Sequence, residues 1–368
     1  MTRHRTTRRR ALSLLALVPL AAAVAACGGD DSGGSDSSGE SGASGGSGVA
    51  DELRLGYFAN VTHAAALIGV DQDLFTDELG DTELSTQVFN AGPDVVEAVF
   101  AGALDAAYIG PSPAINAYGQ SDGDAVRIIA GAASGGAQLV VRDGIDSPED
   151  LEGTTLATPQ LGNTQDVALR TWLTEEGLEN SIEGGGDVTI APTANADTLA
   201  LFQSGDLDGA WLPEPWASRL VLEAGAHVLV DERDLWPDGE FVTTNIIVRT
   251  EYLEQNPETV EALLRGHVAA VQLATDDPDA AKAAVNSGLE AAGSSALDAE
   301  VLDRAWSNLT VTWDPLAATL EESAQHGFDA GTTQELVDIQ GIYDLRPLNT
   351  VLSGIGQEPV TAGDLGEA

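Results

Sequence analysis

The chain has 368 residues, 43% hydrophobic and 5% aromatic, with one Cys, one Met and a formal net charge of −43. So negative a chain excludes nucleic acid and anionic membrane surfaces as partners, because both repel it. A single Cys leaves no internal disulfide and no thiolate metal cluster.

In chain order, residues 1–27 read as a leader. Arg3, Arg5, Arg8, Arg9 and Arg10 make a basic segment, and 11–24 is an apolar run too short to span a bilayer. It ends Val24-Ala25-Ala26-Cys27, small residues directly before the only cysteine. This resembles the lipobox of bacterial lipoproteins, which implies cleavage before Cys27, lipidation of Cys27 and attachment to the outer face of the cell membrane. Two acyl chains anchor stably where one is marginal. Residues 28–50 hold nine Gly, seven Ser and four acidic residues, a composition that cannot build a core and predicts a disordered tether. Such a coil spans roughly 25–30 Å.

The body from Asp51 onward is long enough for two lobes. Lys282 is the only lysine. So lopsided a surface predicts solubility in a salty medium, where screening removes long-range repulsion. Strand signals lie at 52–58, 84–89, 104–110 and 126–132, with helical stretches at 93–101 and 113–118. A second series follows, with strands at 155–158, 188–191, 207–212 and 227–230 and helices at 165–176, 197–203 and 215–223. From 251 onward the pattern is mostly helical. Strands alternating with helices predict βαβ units, hence mainly parallel sheets with flanking helices.

One internal echo supports a doubled plan. ALDAAYIGPSPA (103–114) and DLDGAWLPEPWA (206–217) share Leu-Asp and an alanine-aromatic-aliphatic run 103 residues apart, each then followed by proline. Each follows a helix closed by glycine, and each is the third strand of a β-α-β-α-β run. The extended apolar segments 138–142 and 241–249 read as hinge crossings, which puts lobe one at 51–140 plus 245–368 and lobe two at 141–244. In open α/β sheets ligands bind at the carboxyl ends of the strands, at helix N-termini.

The stretches LRLGYFANVTHAAALIGVDQDLF, FNAGPDVVEAVFAGALDAAYIGPSPAI, SPEDLEGTTLATPQLGNTQDVALRTWL and GDLDGAWLPEPWASRL, in this order over 51–250, resemble the solute-binding proteins of ABC importers. The group is the one serving aliphatic sulfonates, taurine, nitrate and thiamine precursors. The resemblance implies the two-lobed type II periplasmic-binding fold, hinge closure around a small molecule and docking on a membrane permease. It implies neither an enzyme nor a cofactor.

Five loops are expected to meet in the crevice. Tyr57 and Phe58 supply apolar wall, and Asn60 and Thr62 either cap the next helix or touch ligand. His63 is either a ligand donor or, as a lone histidine near a helix start more often is, a capping or surface residue. Gly92 allows close backbone approach. Gly110 and Ser112 offer an N–H and a hydroxyl, and Gly135 an amide or simply a turn. Gly162, Asn163, Thr164 and Gln165 open a helix as a cradle for an oxyanion. The rival there is internal, because Asp166 in the first turn already complements the helix dipole by about 0.3–1 kcal/mol. Trp211 and Glu214 suggest an aromatic wall with an acidic tip, suited to an amine, and Asn245 is a polar candidate on the return crossing, beside Thr243 and Thr244.

No Lys or Arg falls in these loops, so a small hard anion such as nitrate is less suited than a sulfonate. A sulfonate offers three weakly basic oxygens and an apolar tail. Taurine would add an ammonium for Glu214. Zinc-helix and calcium-loop spacings are absent from the sequence. The expected ligand is therefore an aliphatic sulfonate, bound by a monomer without metal or cofactor. Taurine, nitrate or a pyrimidine remain alternatives, as does a sensor lipoprotein.

Overall fold

The computed structural model describes residues 48–368. The leader with Cys27, and the tether as far as residue 47, lie outside the described residues. The strands are β1 (Glu52–Phe58), β2 (Glu83–Phe89), β3 (Ala106–Ile109), β4 (Val126–Gly135), β5 (Ala137–Val141), β6 (Thr155–Thr158), β7 (Thr189–Pro192), β8 (Gly209–Pro213), β9 (His227–Asp231), β10 (Val242–Arg249), β11 (Leu309–Val311), β12 (Tyr343–Asp344) and β13 (Gly366–Glu367). The helices are α1 (Ala64–Asp71), α2 (Leu74–Leu79), α3 (Gly92–Phe100), α4 (Pro111–Gln120), α5 (Thr164–Glu175), α6 (Asn195–Ser204), α7 (Trp216–Ala224), α8 (Thr250–Gln255), α9 (Pro257–Asp276), α10 (Pro278–Ala291), α11 (Ala299–Ser307), α12 (Leu320–Asp329) and α13 (Arg346–Gly354).

Two sheets result, as expected for this α/β class. The first has eight strands in the order β13-β12-β4-β10-β3-β1-β2, with β11 on β4; the second has five, β7-β6-β8-β5-β9. In each, the first βαβαβ run is parallel, and the strand entering from the other sheet is antiparallel to its neighbours: β10 between β3 and β4, β5 between β8 and β9.

The pleat sorts the apolar residues. Leu53, Leu55 and Tyr57 face a core shared with α1, α2, α9 and α10, whereas Phe58 faces the one under α3 and α4. In the second sheet Trp211 packs with Trp172 of α5, and its neighbour Leu212 with Phe202 and Leu220 on the other face.

The chain crosses between sheets at Gly135 and Gly136, both at positive φ (72° and 78°), and returns after Asp231. A Cβ on Gly135 would come within 2.9 Å of the Asn308 carbonyl oxygen, so the turn requires glycine twice over. The segment expected to be mostly helical does carry α8–α13, yet it also adds β11, β12 and β13 to the first sheet. Strands of two or three residues are too short to show alternation in sequence. Among the described residues no helix is long and apolar enough to cross a membrane.

Candidate functional site

The internal echo extends through both runs. At an offset of 103, β1 starts opposite β6, α3 opposite α6 and β3 opposite β8. The paired aspartates do matching work. Asp105 accepts the backbone N–H of Arg54 on β1 and pairs with Arg54 and Arg249; Asp208 accepts the N–H of Thr155 on β6 and pairs with Arg142. Each aspartate thus ties a third strand to the first strand beside it and to a strand arriving from the other sheet.

Where the carboxyl ends of these strands face each other lies a small cavity. Its walls are Phe58, Asn60, Thr62, His63, Asn90 and Gly110 from one side, with Thr243 and Thr244 on β10; Pro159, Asn163, Thr164, Gln165, Asn195 and Pro213 close the other. About 20 Å³ is left for the centre of a water-sized sphere, room for roughly one water. The sides touch directly. Gly92 donates its N–H to Asn163 Oδ1 (3.2 Å), Trp216 Nε1 donates to Asn60 Oδ1 (2.9 Å), and the Thr62 N–H donates to the Glu214 carbonyl (3.3 Å). A Cβ on Gly110 would overlap the Thr164 hydroxyl, and one on Gly92 would overlap Pro113.

The cradle at α5 is intact. Asn163 caps the helix in extended conformation with no side-chain cap bond, and the N–H groups of Thr164 and Gln165 have no acceptor among the described residues. Asp166 does not occupy them. Its carboxylate, fully buried, accepts from Thr158 Oγ1 (2.8 Å), the Gly162 N–H (2.9 Å) and Arg170 Nε (2.9 Å). Arg170 is itself 1% exposed, so the acid is neutralised beneath the loop while the amides above it stay free. The Thr164 hydroxyl and the Asn195 carbonyl oxygen are buried and unpartnered. Each belongs to the first residue of its helix, so at two helix N-termini a hydroxyl donor and an amide oxygen acceptor are left uncommitted beside one cavity.

Of the expected residues, Phe58, Asn60, Thr62, Gly110, Asn163, Thr164 and Gln165 line this cavity. The others lie elsewhere. Tyr57 points into the core on the opposite face of β1. Gly92 braces the closure through its N–H. Ser112 and Gly162 border a separate small cavity against α12, and Gly162 gives its N–H to Asp166. Gly135 is the crossing turn, its N–H bound to the Phe241 carbonyl. Asn245 is fully buried on β10 between Ile109 and Gly131, its amide unpartnered.

Trp211 and Glu214 form no aromatic wall with an acidic tip. Trp211 is buried in the second sheet's core and donates to Glu232 Oε2 (2.7 Å). Trp216, half-buried, is the tryptophan that reaches the other side. Glu214 is fully buried, held by Asn308 Nδ2 (2.6 Å), Arg304 Nη1 (3.2 Å) and the Ser218 N–H (3.1 Å). Burial pushes its carboxyl up against those three bonds. Arg304 also binds Ser218 Oγ and Gln138 Oε1, which fixes α11 against the second sheet beside the crossing.

The chief omission from the sequence reading is Asn195. The offset of 103 applied beyond its original window finds it, since 195 lies opposite Gly92, and 163 opposite Asn60. Among the described residues no group of His, Cys, Asp and Glu is placed to hold a metal ion.

Comparison with known proteins agrees with this architecture. The model of the NMT1-like family matches residues 48–287. The taurine-binding periplasmic protein of Escherichia coli (strain K12) is 28% identical over 218 residues, covering 58% of this chain. The match spans 64% of that relative, less than two thirds of its length. The alkanesulfonate-binding protein SsuA from Xanthomonas axonopodis pv. citri, bound to MOPS, superposes with a TM-score of 0.65 at 20% identity, covering 78% of this chain and 97% of that one. The periplasmic nitrate-binding protein NrtA from Synechocystis PCC 6803 gives 0.70 at 15% identity, covering 86% and 91%. These two structures share the fold.

Proposed function

The chain belongs to the NMT1-like family, and from that premise we propose that it is a membrane-anchored, extracytoplasmic solute-binding protein of an ABC importer. It captures a small organic anion, an aliphatic sulfonate, by closing two lobes, one built on each sheet, and delivers it as a monomer to the permease. The carrying observation is the pair of helix N-termini without side-chain caps, with the unpartnered Thr164 hydroxyl, in a cavity lined by no charged side chain. Convergent amide dipoles and neutral donors suit a diffuse, weakly basic oxyanion.

The cavity is smaller than a sulfonate, so binding requires the sides to part and the Gly92–Asn163 and Trp216–Asn60 bonds to yield or re-form around the ligand. Titration with butanesulfonate, read by calorimetry and by Trp216 fluorescence, tests the reading. Saturable binding supports it. Binding only of cationic or neutral solutes refutes it.

Taurine is the second reading, favoured by the taurine-binding relative. Its ammonium finds no free carboxylate here, because Glu214 is engaged by Arg304 and Asn308. Lipid attachment rests on Cys27 and the residues before it. Fatty-acid labelling that persists in Cys27→Ser would remove that part of the proposal.

A further inference from the structure

His63 ends a 3₁₀ turn, Val61–His63, directly after β1 and is 2% exposed. The backbone N–H of Phe58 donates to its Nδ1 (3.3 Å), and the ring lies against that of Phe58 at 4.2 Å between centroids. A proton on Nδ1 would point at the Phe58 N–H, so the geometry admits only the neutral tautomer with its hydrogen on Nε2. Nε2 has no partner among the described residues, and His63 lines the cavity facing the α5 and α6 N-termini.

We propose that His63 contacts the bound anion as a neutral imidazole, donating from Nε2. With the Thr164 hydroxyl and the free α5 amides it completes a set of uncharged donors. The site then recognises the arrangement of the ligand's oxygens without a protein cation. This rests on the proposed reading of the cavity as an anion site.

The surroundings agree. Burial alone pushes the imidazole down to about 3. The nearest ring carrying a polar group is that of Tyr108 at 6.4 Å, whose hydroxyl is bonded to His267. Charged side chains on the elements packed against this turn are engaged elsewhere. Arg304 of α11 pairs with Glu214, Asp303 with Lys282, Arg127 of β4 bonds Thr250 and Gly123, and Arg249 of β10 pairs with Asp105. Glu300, near the start of α11, and Asp71, the last residue of α1, are the remaining charges on those elements, at ends away from the turn.

The test is long-range ¹H–¹⁵N spectroscopy of the histidines in the full chain, with and without butanesulfonate, from pH 8 to 5. The expected result is a neutral Nε2–H tautomer throughout, an Nε2 shift that moves on binding, and affinity constant within about twofold. His63→Gln, which keeps an N–H donor, should stay within several-fold of wild type. His63→Phe should weaken binding about 10- to 100-fold, the worth of a hydrogen bond to a charged acceptor. A tenfold gain in affinity on acidification, or an Nε2 signal unmoved by bound sulfonate, overturns the proposal even if the substituted chains fail to fold. Wild-type affinity in His63→Phe does the same. Failure of the native chain to bind any sulfonate overturns the anion site itself.

Discussion

Residues 63 and 166 stand at matching places in the two halves of the molecule, 103 positions apart, three residues after the cap residues Asn60 and Asn163. Both are buried, and both accept a backbone N–H from four or five residues earlier, Phe58 at the end of β1 and Gly162 in the loop before α5. One is a neutral histidine with a nitrogen left for the cavity. The other is an acid neutralised by a buried arginine and turned away from it. The halves share their scaffold, seen in Asp105 and Asp208, and diverge at the strand ends. At two close approaches there the first half supplies glycines (Gly92, Gly110) and the second supplies side chains (Asn163, Thr164). Only one partner in each close approach can be bulky, so the cleft is asymmetric although the frame is not.

The largest expected effect separates the two matching positions. Asp166→Ala leaves Arg170 buried and unpaired, and denaturant unfolding should show a loss of about 3–5 kcal/mol. A loss below about 1 kcal/mol would mean that the second half does not depend on its buried ion pair. Within the shared scaffold, Asp105 is 2% exposed and Asp208 is 32%. Asp105→Ala should therefore cost about 1–3 kcal/mol through donors left unsatisfied, and Asp208→Ala no more than about 1 kcal/mol. Equal losses would erase that distinction.

Gly110→Ala tests the glycine side. The added methyl meets the Thr164 hydroxyl, so sulfonate affinity should fall about tenfold, near 1.4 kcal/mol, with a smaller change in the melting temperature of the free protein. The reverse pattern would make Gly110 a packing residue only.

The pH dependence of stability separates the halves again. His63 and His267 titrate in the folded chain near 3 and 4 against an ordinary 6.5. The unfolded chain takes up protons first, so their contribution is complete above pH 6.5 and is lost as pH falls through that window. In the second half burial raises Glu232 to about 7 from 4.5, so its contribution is complete below pH 4.5 and is lost as pH rises through 7. Glu232→Gln should gain stability over wild type progressively from pH 4.5 to 7, and a pH-independent difference would contradict the assignment. The smallest effect is Trp216→Phe, which removes one bond across the cleft at about 0.5–1.5 kcal/mol and most of the fluorescence change on closure.

Much of the frame was legible because its signals are local. The strand readings 52–58 and 155–158 coincide with β1 and β6, since the polar–apolar alternation of ELRLGYF and the short TLAT run between Gly153 and Pro159 need no distant partner to be recognised. The α5 cradle was legible for the same reason, as Asn163 precedes a helical pattern directly. Glu214 was legible only as lying near the crevice, because its partners Arg304 and Asn308 are 90 residues or more away and sit in a helical segment with no motif.

The sequence by itself determined the α/β alternation, the doubled run at an offset of 103 and which loops gather at the strand ends. Tertiary structure decided which atom each loop presents. The pleat sent Trp211 into the core while the following helix brought Trp216 to the cleft. Arg170 drew Asp166 away from the amides for which it was the rival of a ligand, and Phe58 fixed which nitrogen of His63 was left. Those choices depend on desolvation and on partners distant in the chain, and neither is encoded in the spacing of neighbours.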